Sequence, residues 1–211
     1  MVDTSTPLDG LDASQAEMME ELVLCLDTDD NVIESSSKLT THYGEGSLHR
    51  AFSVLIFDSE GKLLVQQRSS DKITFPAVWA NSCCSHPLDI AGENGDPIEG
   101  VIEAARRKLD QELGISRKVT NNWEFNHIGR FEYKSRWDPE WIEHEIDHVL
   151  IVQADCEVNF NRNEIQAVDW LSREALTQMM ERKGRWKSQL IAPWFEADRK
   201  STRLNSSHRC I

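Results

Sequence analysis

No apolar run in this sequence reaches the roughly 18 residues that a membrane-spanning helix needs. The first residues carry no positive patch leading into an apolar stretch, so a secretory signal is not expected. Basic charge is in short supply. There are 23 Lys and Arg against 36 Asp and Glu, and the formal net charge is −13. A surface of that sign suits a phosphate backbone poorly, so nucleic acid is not the expected partner. A small phosphorylated ligand stays open, because it needs only a few local cations. Pairable cysteines are lacking too. Cys25, Cys83, Cys84, Cys156 and Cys210 are odd in number, and Cys83 and Cys84 are adjacent. That is no disulfide framework, and it points to a reducing compartment. Internal repeats and low-complexity linkers are missing as well.

What is present is enough for one core. A chain of 211 residues with 39% hydrophobic and 28% charged residues fits a soluble globular domain. Met18 to Leu26 reads as a strand or short helix, Asp27 to Asn31 as a turn, and Val32-Ile33 as a resumed strand. Ser35 to Ser37 leads into a helical turn or loop at Lys38-Leu39. Ala51 to Phe57 and Lys62 to Arg68 read as two strands joined by a hairpin turn at Asp58 to Gly61. Val78 to Ala80 starts another extended piece. Pro97 to Leu113 carries Ile98, Val101, Ile102, Ala105 and Leu109 at helical spacing, with Gly114 at the C-cap position. Phe125 to Tyr133, Glu145 to Gln153 and Val168 to Leu171 read as strands. Arg173 to Met180 reads as a helix, and Trp186 to Phe195 as another, with Pro193 near its end. Strands around one clear helix, with more helices late, imply α+β or a three-layer α/β/α sandwich.

The chemistry concentrates in Asn81-Ser82-Cys83-Cys84-Ser85-His86-Pro87 and in Glu143-His144-Glu145. With His42 and His49 upstream, His86, Glu143 and Glu145 make a set of three imidazoles and two carboxylates. Those ligand types suit Mn²⁺, Zn²⁺, Fe²⁺ or Mg²⁺. Glu143 and Glu145 are two apart, so on a strand both face the same way and His144 faces the other. Any one histidine alone is more often structural than a ligand. A thiol beside this set is either a small buried hydrophobe or a reactive group, and spacing does not choose between Cys83 and Cys84. Lys38, Arg68 and Lys72 are cations able to hold a diphosphate, although surface solubility is the plainer role for each. Tyr133, Trp79 and Trp194 are core residues or aromatic faces toward a cation. Along the helix, Glu99, Glu103, Arg107 and Asp110 share a face, and a solvated amphipathic surface explains them equally well.

The stretch Arg107 to Ile115, with Glu99 upstream, resembles the end of a Nudix box in which Lys108 and Gln111 replace two glutamates. One remaining carboxylate, Glu112, could help hold one Mg²⁺ against a diphosphate, a poor arrangement for multi-metal hydrolysis. With His42, Leu48-His49-Arg50-Ala51-Phe52, Arg68, Lys72, Trp79 to Pro87, Glu143-His144-Glu145 and Ala192-Pro193-Trp194, the chain resembles the type I isopentenyl-diphosphate isomerases of the Nudix superfamily. The likeness runs from about Leu22 to Phe195.

The resemblance implies a single Nudix-like α/β/α sandwich with a mixed sheet over residues 21–199, after an N-terminal extension at 1–20. It implies interconversion of isopentenyl and dimethylallyl diphosphate by protonation and deprotonation. Cys84 becomes the catalytic thiol and Glu145 the catalytic carboxylate, with Glu145 donating and Cys84 accepting in the forward direction. Tyr133 and Trp194 join them near the isoprenoid tail. His42, His49, His86, Glu143 and Glu145 become ligands of a divalent metal (Mn²⁺, Zn²⁺ or Mg²⁺). Glu112 becomes a ligand of Mg²⁺, and Lys38, Arg68, Lys72 and Ser85 become diphosphate contacts. The expected partner is a small prenyl diphosphate, without membrane or nucleic acid, and a monomer is expected. The cytosol is the default location, with the peroxisome as the alternative. Residues 200–211 lie outside the likeness and read as a disordered or foreign tail, so no function is placed on His208 or Cys210. Two other classes compete: a Nudix hydrolase, which would want the missing glutamates, and a non-catalytic ligand-binding module, which would not need Cys84 or Glu145.

Overall fold

The computed structural model describes residues 6–197, so the expected tail at 200–211, with His208 and Cys210, lies outside the described residues. The elements run in chain order as α1 (Ala13–Met18), β1 (Leu22–Leu26), β2 (Val32–Ser37), α2 (Lys38–His42), β3 (His49–Phe57), β4 (Leu63–Arg68), β5 (Trp79–Ala80) and β6 (Cys83–Ser85). They continue as α3 (Pro97–Leu113), α4 (Arg117–Thr120), β7 (Asn126–Arg136), β8 (Ile142–Gln153), β9 (Ile165–Leu171) and α5 (Arg173–Met180). A 3₁₀ turn at Gly184–Trp186 follows. No helix among the described residues is long and apolar enough to cross a membrane.

The sheet is mixed. β3 pairs in parallel with β8 along its whole length, from His49↔Glu145 to Phe57↔Gln153, and β7 pairs antiparallel with β8. Eight of the nine β3 residues are buried, as a strand covered on both faces must be. One core lies against α3 and includes Phe52, Val54, Leu64, Val101, Leu109 and Leu150. The other lies on the opposite face and gathers Leu55, Val65, Trp79, Met179, Trp186 and Trp194. Two cores with the sheet between them make the expected α/β/α sandwich.

α3 matches its expected bounds because each end is specified locally. Asp96 accepts hydrogen bonds from the Ile98 and Glu99 amides, and Pro97 opens the helix. Gly114 takes φ 68°, and the Ile115 amide turns back to Leu109 O at 3.1 Å, closing the helix.

The expected hairpin turn between β3 and β4 is present but its strands diverge at once, and one expected helix is corrected. The β3–β4 hairpin pairs only at Phe57↔Leu63. Ser82 separates the strands: its Oγ accepts from Ile56 N at 2.8 Å and donates to Leu64 O at 2.7 Å. β6 then occupies the freed edge of β3, and β4 pairs instead with β5 and β9. Nor is Trp186 to Phe195 a helix. After the 3₁₀ turn the chain runs extended, Ile191 bridges Trp79 in parallel, and a short helix occupies 193–197. Pro193 opens that helix, where its missing N–H costs nothing.

Candidate active site

Strand register assembles the centre. His49 on β3, Glu145 on β8 and Tyr133 on β7 are direct neighbours across three strands. Tyr133 Oη donates to Glu145 Oε2 at 2.5 Å. Glu143, two residues before Glu145, is likewise buried, whereas His144 faces outward to Glu132 at 3.2 Å. α2 supplies His42, and the turn after β6 supplies His86.

These five side chains converge. One ligand atom from each of His42, His49, His86, Glu143 and Glu145 lies within 4.8 Å of all the others. His42 Nε2 is 2.9 Å from Glu143 Oε2, and His86 Nε2 is 2.7 Å from Glu145 Oε1. His42 Nδ1 lies 2.8 Å from Lys38 O, and His49 Nδ1 lies 2.7 Å from Ser47 O. With Nδ1–H donating to a carbonyl, Nε2 keeps its lone pair for an ion, the usual support for a ligating histidine. His49 Nε2 is buried and makes no hydrogen bond, with Glu145 Oε1 standing off at 3.5 Å. An orphaned buried imidazole nitrogen is costly, and a divalent cation among two carboxylates would satisfy it. The donor set therefore fits a metal.

Electrostatics sharpen the picture. Burial and the neighbouring His49 and His42 push His86 well below its ordinary pKa, leaving it neutral as a ligand must be. Burial would raise Glu145, yet the adjacent His49 imidazole and the hydrogen bond from Tyr133 hold it at about 2, a carboxylate at neutral pH. Burial pushes the Cys84 thiol up to about 12, with the Arg68 guanidinium opposing. Burial lowers Lys38 to about 8 despite its Glu21 partner.

A cleft opens beside this cluster. Its walls include Lys38, Arg68, Lys72, Cys84, Ser85, Glu112, Tyr133 and Trp194, together with His42, His86, Glu143 and Glu145. Of the expected site residues only His49 stands behind the wall, fully buried within the metal cluster. Arg68 is anchored by Phe75 O at 3.0 Å and Thr74 O at 2.8 Å. Its guanidinium carbon lies 5.6 Å from the Trp194 ring centroid. The Trp194 indole N–H donates to Asn81 Oδ1 at 3.1 Å.

On α3 only Glu112 among the carboxylates lines the cleft. Glu99 and Asp110 are exposed, and Glu103 pairs with Arg106 and Arg117. Lys108 is buried with its Nζ 3.0 Å from Glu112 Oε1. Gln111 Nε2 reaches Met18 Sδ at 3.3 Å. Sequence reasoning missed Gln15, Met18 and Met19, which also line the cleft, and Glu164, which pairs with Lys72 at 2.7 Å. No local pattern marks them, because their partners lie far away in the chain.

The fold and this cluster define a Nudix-domain protein, and a family model for the NUDIX domain matches residues 47–195. A solved Deinococcus radiodurans structure shares the fold, with TM-score 0.62 and 18% identity over 85% of this chain and 98% of that one. Within that class the chain belongs to the isopentenyl-diphosphate delta-isomerase family. It is 42% identical to the Gibberella zeae isopentenyl-diphosphate delta-isomerase, covering 92% of this chain and 79% of that protein. It is 43% identical to the Aspergillus fumigatus isopentenyl-diphosphate delta-isomerase, covering 91% and 73%.

Proposed function

We propose that this protein interconverts isopentenyl and dimethylallyl diphosphate by moving one proton onto the alkene and removing another from a neighbouring carbon. The observation that carries this reading is the meeting of Cys84 and the Tyr133–Glu145 pair in one cleft with Trp194. An unactivated alkene needs an acid and a base in a site that excludes water. One of Cys84 and Glu145 donates while the other accepts, and the roles exchange in the reverse direction. Proton addition leaves positive charge at a tertiary carbon. The Trp194 ring offers it a π face, and its N–H is tied up by Asn81. Deprotonation at the adjacent carbon then completes the new double bond.

The expected forward assignment makes Cys84 the acceptor, which requires a thiolate. Burial opposes that, since the thiol is pushed up to about 12. Cys84 and Glu145 form the acid–base pair, and either can be the donor.

Lys38, Arg68, Lys72 and the backbone at Ser85 take the diphosphate in this reading. Glu112 would hold Mg²⁺ there, and His42, His49, His86, Glu143 and Glu145 would hold a second divalent ion. Bound metal supplies charge neutralisation for the diphosphate and orders the carboxylates. Lys108, sitting on Glu112, leaves α3 with one inward carboxylate, which suits retention of the diphosphate over its hydrolysis.

The test is a proton NMR time course of isopentenyl diphosphate with the protein and Mg²⁺ in D₂O. Dimethylallyl diphosphate carrying deuterium in its methyl groups is the expected product. Intact substrate, or free pyrophosphate, would overturn the reading.

A further inference from the structure

One wall of the cleft comes from the N-terminal segment. α1 is six residues long, and the one residue it buries is polar: Gln15, 3% exposed. Met19, its C-cap, packs with Ile73 and Trp141, but within the helix itself only a polar side chain is buried. Gln15 Nε2 donates to Asn163 Oδ1 at 2.7 Å, Asn163 O at 3.2 Å and Glu164 Oε1 at 3.3 Å. Asp12, which caps α1, also accepts from Asn163 Nδ2 at 3.0 Å. The segment is thus tied by side-chain hydrogen bonds to the turn that leads into β9.

Glu164 faces two ways. Its Oε1 meets Gln15, and its Oε2 takes the Lys72 ammonium at 2.7 Å. The Glu164 side chain is 2% exposed and that of Lys72 15% exposed. Burial would raise the Glu164 carboxyl, but Lys72 and Lys108 hold it at about 2, so it stands as an anion beside the cations of the cleft. A lysine ammonium sits on a long flexible stem, and holding it still costs side-chain entropy. A buried carboxylate fixed on its far side by an amide removes most of that freedom before any ligand arrives.

We propose that Gln15 and Glu164 are positioning residues for the diphosphate: Gln15 fixes the Glu164 carboxylate, and Glu164 holds the Lys72 ammonium at the cleft wall. The N-terminal segment is then a working part of the active site. The inference rests on Lys72 as a diphosphate contact, as read above.

The test uses the full chain with Gln15→Ala, Lys72→Met and the double variant. Steady-state kinetics with isopentenyl diphosphate are read beside calorimetric binding of inorganic pyrophosphate in Mg²⁺. Gln15→Ala is expected to raise KM about tenfold and weaken pyrophosphate by the same factor, with kcat within about twofold. The double variant is expected to bind pyrophosphate no worse than Lys72→Met alone, because Gln15 acts through that lysine. Unchanged KM and pyrophosphate affinity in Gln15→Ala would overturn the proposal, as would a loss of kcat at constant KM or additive losses in the double variant. A wild-type protein that binds pyrophosphate without isomerising would sink the functional reading instead. The pyrophosphate cycle would then decide the positioning role by itself.

Discussion

Cys83 is fully buried, with its sulfur 3.7 Å from Glu112 Oε2, whereas its neighbour Cys84 reaches the cleft wall. Adjacent residues on a strand face opposite ways, so one thiol packs and the other can meet substrate. Cys84→Ala and Glu145→Gln are expected to abolish turnover in the NMR assay. Cys83→Ala should keep most activity and lose about 1 kcal/mol of stability, the scale of one deleted core atom. A fully active Cys84→Ala would remove the thiol from the mechanism. Trp194→Phe should retain more activity than Trp194→Ala, because only the former keeps a π face; equal rates would argue against cation stabilisation. Lys38 gives a pH signature. Held at about 8, it is charged below that pH and neutral above it. KM should therefore rise as pH climbs past about 8 and level off once the lysine is neutral. Lys38→Ala should raise KM at pH 7 and flatten the dependence; an unchanged upward bend in that variant would assign it to another group.

α3 links its own packing to the site. Gly100 has no side chain because the backbone oxygen of Glu93 would lie 2.3 Å from a Cβ there. Glu93 in turn grips the Arg107 guanidinium at 2.7 and 2.8 Å, and Arg107 donates to His86 O at 3.1 Å. Gly100→Ala is expected to destabilise the fold by about 1–3 kcal/mol, as overpacking against backbone does. Thermal melts should fall by about 2–4 °C per kcal/mol for a chain of this size. An unshifted melt would mean that the Glu93 turn yields freely. The element was legible in the sequence because Pro97 and Gly114 mark its ends and its apolar residues keep one period. The segment from Trp186 to Phe195 was not. Its apolar residues serve one core from a 3₁₀ turn, an extended bridge and a short helix in succession, so their spacing reports no single element.

Across the molecule, an ionic network centred on the buried Asp30 joins the β1–β2 turn to β3, β7 and β8. Asp30 takes Arg50 Nε at 2.8 Å, Arg130 Nη1 at 2.6 Å and His148 Nε2 at 3.0 Å. Burial would raise Asp30, but His148 and Arg50 hold it at about 2 against an ordinary 3.8. A depressed carboxyl contributes stability above its unfolded pKa and loses it as pH falls through the folded one. Unfolding free energy should thus drop by about 2 kcal/mol between pH 4 and pH 2 from this group. Asp30→Asn should flatten that slope and cost about 3–5 kcal/mol at neutral pH by stranding Arg50. Denaturant melts across pH would show it; parallel slopes in the two proteins would rule the network out as the source. The sequence by itself determined which residues could do chemistry, the period of α3, and the common face of Glu143 and Glu145, because these follow from side-chain type and local backbone geometry. Only the tertiary structure decided that β3 pairs in parallel with β8, placing His49 beside Glu145, that Cys84 and not Cys83 reaches the cleft, and that Gln15 meets Glu164. Those contacts join residues dozens to more than a hundred positions apart, and they are set by how two cores pack on one sheet, which no local pattern encodes.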